Sequence, residues 1–130
     1  MGAGTRWHPE TCDLGRLYQL GFDGTGQKIA VVGQTRLELS DVQGFRSFFG
    51  LSSPSVETVL TGPDPGIDAN ALAEAALDLE WAGAVARGAQ FVYVYAIDAG
   101  AAAFYAIDQR MAPVLSDSFG NCEKNVSWRG

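Results

Sequence analysis

The sequence predicts an α/β fold built on a mostly parallel sheet. Short apolar runs rich in β-branched residues, at 28–33, 56–60, 90–95 and 113–119, alternate with stretches whose apolar residues recur at helical spacing. Such alternation is typical of strands joined by helical crossovers, and runs that are apolar on both faces are typical of buried parallel strands. With 130 residues, 47% of them hydrophobic, the chain is expected to form one unit over 1–130.

The first part of the chain predicts a helix, a turn and a strand. Pro9 suits the first turn of a helix, and the apolar spacing after it predicts a helix over about 9–20 that ends at Gly21. The glycine-rich segment 22–26 is a turn that leads into the strand at 28–33. A dinucleotide fingerprint must follow a strand, and these glycines precede one, so no nucleotide-binding loop is predicted.

A second helix is predicted between the first two strands. Ser40 and Gln43 have the spacing of a capping box, and Gly50 is a typical C-terminal stop. The apolar residues of this helix are expected to face inward: Val42, Phe45, Phe48 and Phe49. The strand at 56–60 follows it.

Two more helices are predicted in the second half of the chain. The Pro- and Gly-rich segment 62–66 is a loop, and the helix at 71–86 comes after it. A shorter helix at 101–110 is expected to turn Phe104 and Ile107 inward. All crossovers are expected to be right-handed, and a ligand is expected at the carboxyl ends of the strands.

Glu74 and Asp78 form a pair of carboxylates in the helix at 71–86. Side chains four residues apart lie on one helix face, here together with Trp81 and Val85. Leu72 and Leu79 cover the opposite side, and apolar residues on all sides are typical of a buried helix. Desolvated carboxylates at this spacing tend to share a proton, so a direct hydrogen bond between them is expected. A solvated acidic face is the alternative that spacing alone leaves open.

Composition excludes several classes of function. A net charge of −6 without a basic patch argues against nucleic acid as a partner, and no apolar run is long enough to predict a membrane span. Cys12 and Cys122 lack the spacing of metal ligands. His8, the one histidine, lies in the N-terminal stretch, so a Ser-His-Asp mechanism has no credible base. Glu74 could take that role under acid conditions.

With its acid pair and the segments named below, the chain resembles the sedolisin family of serine-carboxyl peptidases, the kumamolisin-like acid endopeptidases with a subtilisin-like fold. The resemblance runs from about residue 8 to residue 123, and the acid pair in its helix is its most specific element. The matching segments are 9–11 with 17–18, 24–35, 39–42, 74–86 and 116–120.

The resemblance implies a Ser-Glu-Asp triad that hydrolyses polypeptides in a secreted enzyme. Glu74 matches the general base of the family, and Asp78 matches the acid that orients that base. Ser118, Phe119 and Gly120 match the strand edge that pairs with the peptide substrate by β-augmentation.

The departures from the family pattern imply an incomplete site. The family's nucleophilic serine, its oxyanion aspartate, its calcium site and its prosegment have no match in these 130 residues. Asp117 stands where an apolar residue is usual, and would be costly if buried. The expectation is therefore the N-terminal part of a catalytic domain that is inactive alone. The alternative is a non-catalytic, flavodoxin-like module that binds a small ligand or peptide at the strand ends.

Overall fold

The computed structural model describes residues 13–52 and 56–120. These residues form four helices and four strands that alternate after the first helix, as the sequence predicts. The helices are α1 (Leu14–Gln19), α2 (Leu39–Phe48), α3 (Ala69–Val85) and α4 (Ala99–Asp108). The strands are β1 (Lys28–Gly33), β2 (Val56–Leu60), β3 (Gln90–Tyr95) and β4 (Val114–Ser116).

The four strands form one parallel sheet in the order β2-β3-β1-β4. The α/β prediction is thereby confirmed. β1 and β3 lie inside the sheet, with a neighbour on each side. Their backbones are fully paired and both of their faces are covered, which explains why they read as unbroken apolar runs. Because every strand runs the same way, all the carboxyl ends meet at one edge.

Helices cover both faces of the sheet. On one face, α2 and α3 pack against Val31, Phe91 and Tyr93. On the other face, α4 packs against residues such as Ala30 and Val32, which alternate with Val31 along the same strand. This period of two places each strand residue in one core or the other. No helix among the described residues is long and apolar enough to cross a bilayer.

The three crossovers do not share one hand, so the expectation of right-handed crossovers throughout is wrong. The connections β1→β2 and β2→β3 move in opposite directions across the sheet, yet α2 and α3 lie on the same face. These two connections therefore have opposite hands. The connection β3→β4 moves in the direction of β2→β3 but uses the other face, so its hand matches that of β1→β2. The α3 connection is the exception, against the strong general preference.

Several element boundaries and faces differ from the sequence prediction. The start of the helix predicted at about 9–20 lies outside the described residues, and α1 begins at Leu14. α2 begins after Glu38 without a side-chain cap, so the capping box at Ser40 is wrong. Phe48 is exposed, whereas Arg46 is buried.

The fourth helix turns its small residues, not its large ones, toward the sheet. Ala102 and Ala106 are buried, while Phe104 is 77% exposed and Ile107 is also exposed. The inward positions predicted for those two residues are therefore wrong. This helix is apolar on nearly every side, so spacing alone could not select the packed face. The alanines allow the helix to approach the sheet closely.

The fourth strand is shorter than the predicted run at 113–119. It ends at Ser116 because the side chain of Asp117 accepts a hydrogen bond from the backbone N–H of Phe119, at 2.9 Å. That local bond turns the chain out of the ladder. Asp117 is exposed, so the cost of a buried carboxylate does not arise.

A buried arginine joins α2 to the end of α3. Arg46 is only 2% exposed, and its guanidinium donates to the carbonyls of Ser52, Gly83 and Arg87 at 2.5, 2.6 and 3.3 Å. Burial lowers the pKa of Arg46. The guanidinium supplies donors to carbonyls that the end of a helix leaves unpaired, and its charge complements the helix dipole. Gly83 permits this contact, since a Cβ there would lie 2.8 Å from Nη1.

Candidate active site

Two adjoining clefts open at the carboxyl edge of the sheet. The larger, of about 480 Å³, is lined by residues of the α3 N-terminal half and of the segment after β4, including Glu74 and Ser118. The smaller, of about 330 Å³, lies toward α4 and includes Asp98 and Asp117. Both clefts share three lining residues, Gln34, Phe119 and Gly120. This is the edge where ligands bind in parallel α/β sheets.

The N-terminus of α3 is tied to the loop that follows β1. Asp68 caps the helix, and its Oδ1 accepts from the N–H groups of Asn70 and Ala71 at 3.0 and 2.9 Å. The buried hydroxyl of Thr35 accepts from the N–H of Asp68 at 2.9 Å and lies 3.3 Å from the carbonyl oxygen of Gly66. The first turns of α3 are therefore fixed relative to the end of β1.

A buried tyrosine supports this loop from below. The hydroxyl of Tyr93 donates to the carbonyl of Thr35 at 2.8 Å. Burial raises the pKa of Tyr93 to about 12, and the charge of Asp78 adds to the rise, so the phenol stays a neutral donor. A Cβ at Gly33 would lie 2.1 Å from the tyrosine hydroxyl oxygen, so only glycine fits there. Sequence reasoning treated these residues as strand residues, and no short motif marks them.

The structure brings Asp78 and Ser118 into contact, with Glu74 on the same helix. Ser118 Oγ donates to Asp78 Oδ1 at 2.9 Å, across 40 residues of sequence. Asp78 Oδ2 is buried, and it is the one buried side-chain nitrogen or oxygen without a hydrogen-bond partner in the described part of the chain. Glu74 is partly buried and lines the larger cleft one helical turn earlier. One oxygen of Asp78 is thus occupied and the other lacks a donor. The direct hydrogen bond expected between Glu74 and Asp78 is therefore not formed in this structure.

The acid pair lies beside the buried face of α3, not inside a helix buried all round. The buried residues of α3 form one stripe of Ala71, Ala75, Leu79, Gly83 and Ala84. Trp81 is 50% exposed, and Leu77 and Val85 are exposed as well. The expectation of burial on every side is therefore wrong. A position beside the core leaves Glu74 open to the cleft while Asp78 keeps one oxygen out of solvent.

The three residues matched to a substrate edge lie past the end of β4. Ser118 and Gly120 are exposed, Phe119 is partly buried, and all three line the larger cleft. They extend from the sheet without belonging to the ladder.

The described residues contain no group of three or more His, Cys, Asp or Glu side chains that could hold a metal ion. The calcium ion implied by the resemblance therefore finds no ligand set in this part of the chain.

Comparison with known proteins gives a likeness to a solved structure. No protein-family model matches the chain, and no curated protein matches it. Among solved structures, the chain is similar to Pseudomonas sedolisin, a serine-carboxyl proteinase, in complex with two molecules of pseudo-iodotyrostatin.

That likeness covers nearly all of this chain but less than half of the sedolisin chain. The TM-score is 0.70 at 23% sequence identity, and the match covers 95% of this chain and 37% of the sedolisin chain. The chain thus spans little more than a third of that protein. At this identity the likeness shows the fold, and it agrees with the family resemblance seen in the sequence. The chain has a sedolisin-like α/β fold, corresponding to the N-terminal portion of that domain.

Proposed function

We propose that this chain supplies the Glu-Asp half of the active site of a serine-type endopeptidase, with Glu74 as general base and Asp78 as the residue that orients it. The observation that supports the proposal is the buried oxygen Asp78 Oδ2, which lacks a donor beside an open cleft. An unpaired buried acceptor is costly. A protonated Glu74 one turn away would be such a donor, and a proton shared between two carboxyls is suited to acid–base work.

In the proposed reaction, the shared proton passes to Asp78 as Glu74 takes the proton of a serine hydroxyl, and the serine oxygen attacks a peptide carbonyl. Glu74 then gives the proton to the leaving amine. Asp78 holds the Glu74 carboxyl in one orientation throughout. The serine and the group that stabilises the oxyanion would come from a segment outside these 130 residues. Because both acid–base groups are carboxyls, the reaction should favour acid conditions, as suits a secreted enzyme.

The proposed substrate is an extended polypeptide that lies along Ser118, Phe119 and Gly120. Phe119 and Gly120 line both clefts, and Ser118 lines the larger one. They lie past the end of the strand ladder. The Phe119 N–H donates to Asp117, and the other backbone groups of this segment can pair with a substrate strand. The paired clefts provide room for substrate side chains on both sides of that strand.

A fusion of the whole chain to the remainder of a sedolisin-type domain tests this proposal. We expect the fusion to cleave a denatured protein at acid pH, and the Glu74→Gln variant to lose most of that activity. Such losses reach several orders of magnitude when a triad member is removed. Glu57→Gln, on β2 and away from the clefts, is the control. Full activity in Glu74→Gln would refute the role of Glu74. The chain by itself should show no cleavage.

The second candidate is a non-catalytic module that binds a small ligand or a peptide. The polar cleft of about 330 Å³ at the strand ends, lined by Asp98 and Asp117, favours it. Saturable binding of a small ligand by the isolated chain, lost when either aspartate is replaced by asparagine, would favour this candidate. An active fusion that needs Glu74 would favour the peptidase.

A further inference from the structure

We propose that Ser118 is a positioning residue for the acid pair, in addition to any contact it makes with substrate. Its hydroxyl holds one oxygen of Asp78, so that the other oxygen is kept for the Glu74 carboxyl. This inference rests on the proposed function for the identity of the pair. The bond between Ser118 and Asp78 stands on the geometry alone.

The two oxygens of Asp78 have different surroundings. Oδ1 accepts from Ser118 Oγ at 2.9 Å, whereas Oδ2 is buried and has no partner among the described residues. A carboxylate can rotate and exchange its oxygens unless one of them is held. The serine hydroxyl holds Oδ1, so the buried Oδ2 stays the acceptor for the shared proton.

Ser118 approaches from a different element than the acids do. Asp78 lies in α3, while Ser118 follows β4. Asp117, between the end of β4 and Ser118, turns the chain at this point. The ionisable groups near Asp78 are Glu74 from the same helix and Tyr93 from β3, whose pKa the charge of Asp78 raises. The hydroxyl of Ser118 donates to Asp78, whereas the Tyr93 hydroxyl donates to the carbonyl of Thr35.

The same serine lines the larger cleft, so the acid pair and the peptide edge are coupled. A peptide that draws the Ser118 hydroxyl away from Asp78 would weaken the hold on Oδ1, and a peptide that packs over it would strengthen that hold. Thermodynamic linkage requires the reverse effect also, so protonation of the pair should change peptide affinity.

The test is a pH titration of the side-chain carboxyl carbons by 13C NMR on the full chain. The variants are Ser118→Ala, Ser118→Thr and the control Ser47→Ala, on the exposed side of α2. Ser118→Ala should change the signal of the Asp78 carboxyl carbon, because that carboxyl loses one hydrogen bond. Ser118→Thr keeps the hydroxyl and should restore wild-type behaviour, whereas Ser47→Ala should change nothing.

The outcomes separate this inference from the proposed function. If Ser118→Ala leaves the Asp78 signal as it is in wild type, or if threonine fails to restore that signal, Ser118 has no positioning role. If instead Glu74→Gln leaves the wild-type titration of Asp78 unaltered, the two acids do not act as a pair and the proposed function fails. The effect of Ser118 on Asp78 would remain measurable in that case.

Discussion

At the scale of single residues, two glycines determine how closely large side chains approach the backbone. Gly33 lies under the hydroxyl of Tyr93, and Gly83 lies under the guanidinium of Arg46. Tyr93 donates to the carbonyl of Thr35, and Arg46 donates to the carbonyl of Gly83. These two hydrogen bonds of the core therefore require glycine at both positions, because a Cβ would occupy the space of the donor group.

Gly33→Ala should destabilise the protein because the new methyl group would displace the Tyr93 ring and its bond to Thr35. Overpacking of this kind costs roughly 1–3 kcal/mol. Urea unfolding measures the loss. Gly44→Ala is the matched control, since a Cβ at Gly44 in α2 meets nothing within 4 Å. Alanine there should raise stability by up to about 1 kcal/mol through helix propensity. Equal effects of the two changes would contradict the argument.

Glu80 should make stability depend on pH. Burial, and next the charge of Asp41, raise the pKa of Glu80 in the folded chain above its ordinary value of 4.5. The folded state therefore favours the protonated form, and this contribution is lost as the pH rises through the folded pKa. Glu80→Gln should have a higher Tm than wild type at pH 7 and the same Tm below about pH 4. A difference that does not vary with pH would argue against this.

At the scale of elements, α3 is fixed at both of its ends by different parts of the chain. Asp68 caps its N-terminus and is bound in turn by Thr35, while Arg46 of α2 binds carbonyls at its C-terminus. Tyr18 of α1 adds a hydrogen bond to the carbonyl of Val85 at 2.6 Å. The acid pair lies between these anchors.

Arg46→Met should cost about 2–4 kcal/mol, because buried carbonyls at the end of α3 would lose their donors while packing is largely kept. Arg46→Lys should not restore stability, since one ammonium cannot reproduce the planar fork of a guanidinium. The measurement is chemical denaturation, with the exposed Arg16→Met as control. A loss no larger than that of the control would show that Arg46 is dispensable.

The sequence predicted strands better than helix faces. The runs at 28–33, 56–60 and 90–95 correspond to β1, β2 and β3, because short apolar runs rich in β-branched residues and bounded by turns favour buried strands. The packed face of α4 was not predictable from spacing, since alanines and large apolar residues surround the helix. Arg46 would be expected in solvent, and its burial depends on carbonyls far along the chain.

The part of the candidate site that depends on local spacing was predicted from the sequence, and the part that depends on the tertiary fold was not. Glu74 and Asp78 are close in sequence, so helical spacing brings them together. The contact of Ser118 with Asp78 joins residues 40 apart and requires the tertiary fold. The hand of the α3 connection is likewise a property of the whole sheet, and general rules favour the other hand.

At the scale of the whole molecule, large apolar side chains remain on the surface of the described residues. Phe104, Ile107 and Ile97 are all exposed on or beside α4. Among the strands that the structure describes, the outer ones, β2 and β4, each pair on one side only. Unpaired edges and apolar patches of this kind favour association.

The purified chain should therefore self-associate, and it should bind a dye specific for apolar surfaces. The double variant Phe104→Ser, Ile107→Ser should sediment closer to a monomer. Leu60→Ser, at the end of β2, changes one exposed apolar residue outside this patch and is the control. Sedimentation velocity over a range of concentrations distinguishes these cases. A wild-type chain that stays monomeric and unfolds cooperatively would show that this surface does not drive association.

The order of the strands has a consequence for synthesis. β1 and β2 leave the ribosome before β3, but they do not touch in the finished sheet, because β3 lies between them. Among the strands that the structure describes, no native pair can form until β3, Gln90–Tyr95, begins to emerge. The nascent chain must therefore hold two apolar strands apart, without a partner for either, until the third inserts. During that interval it should be a client for chaperones that bind extended apolar segments.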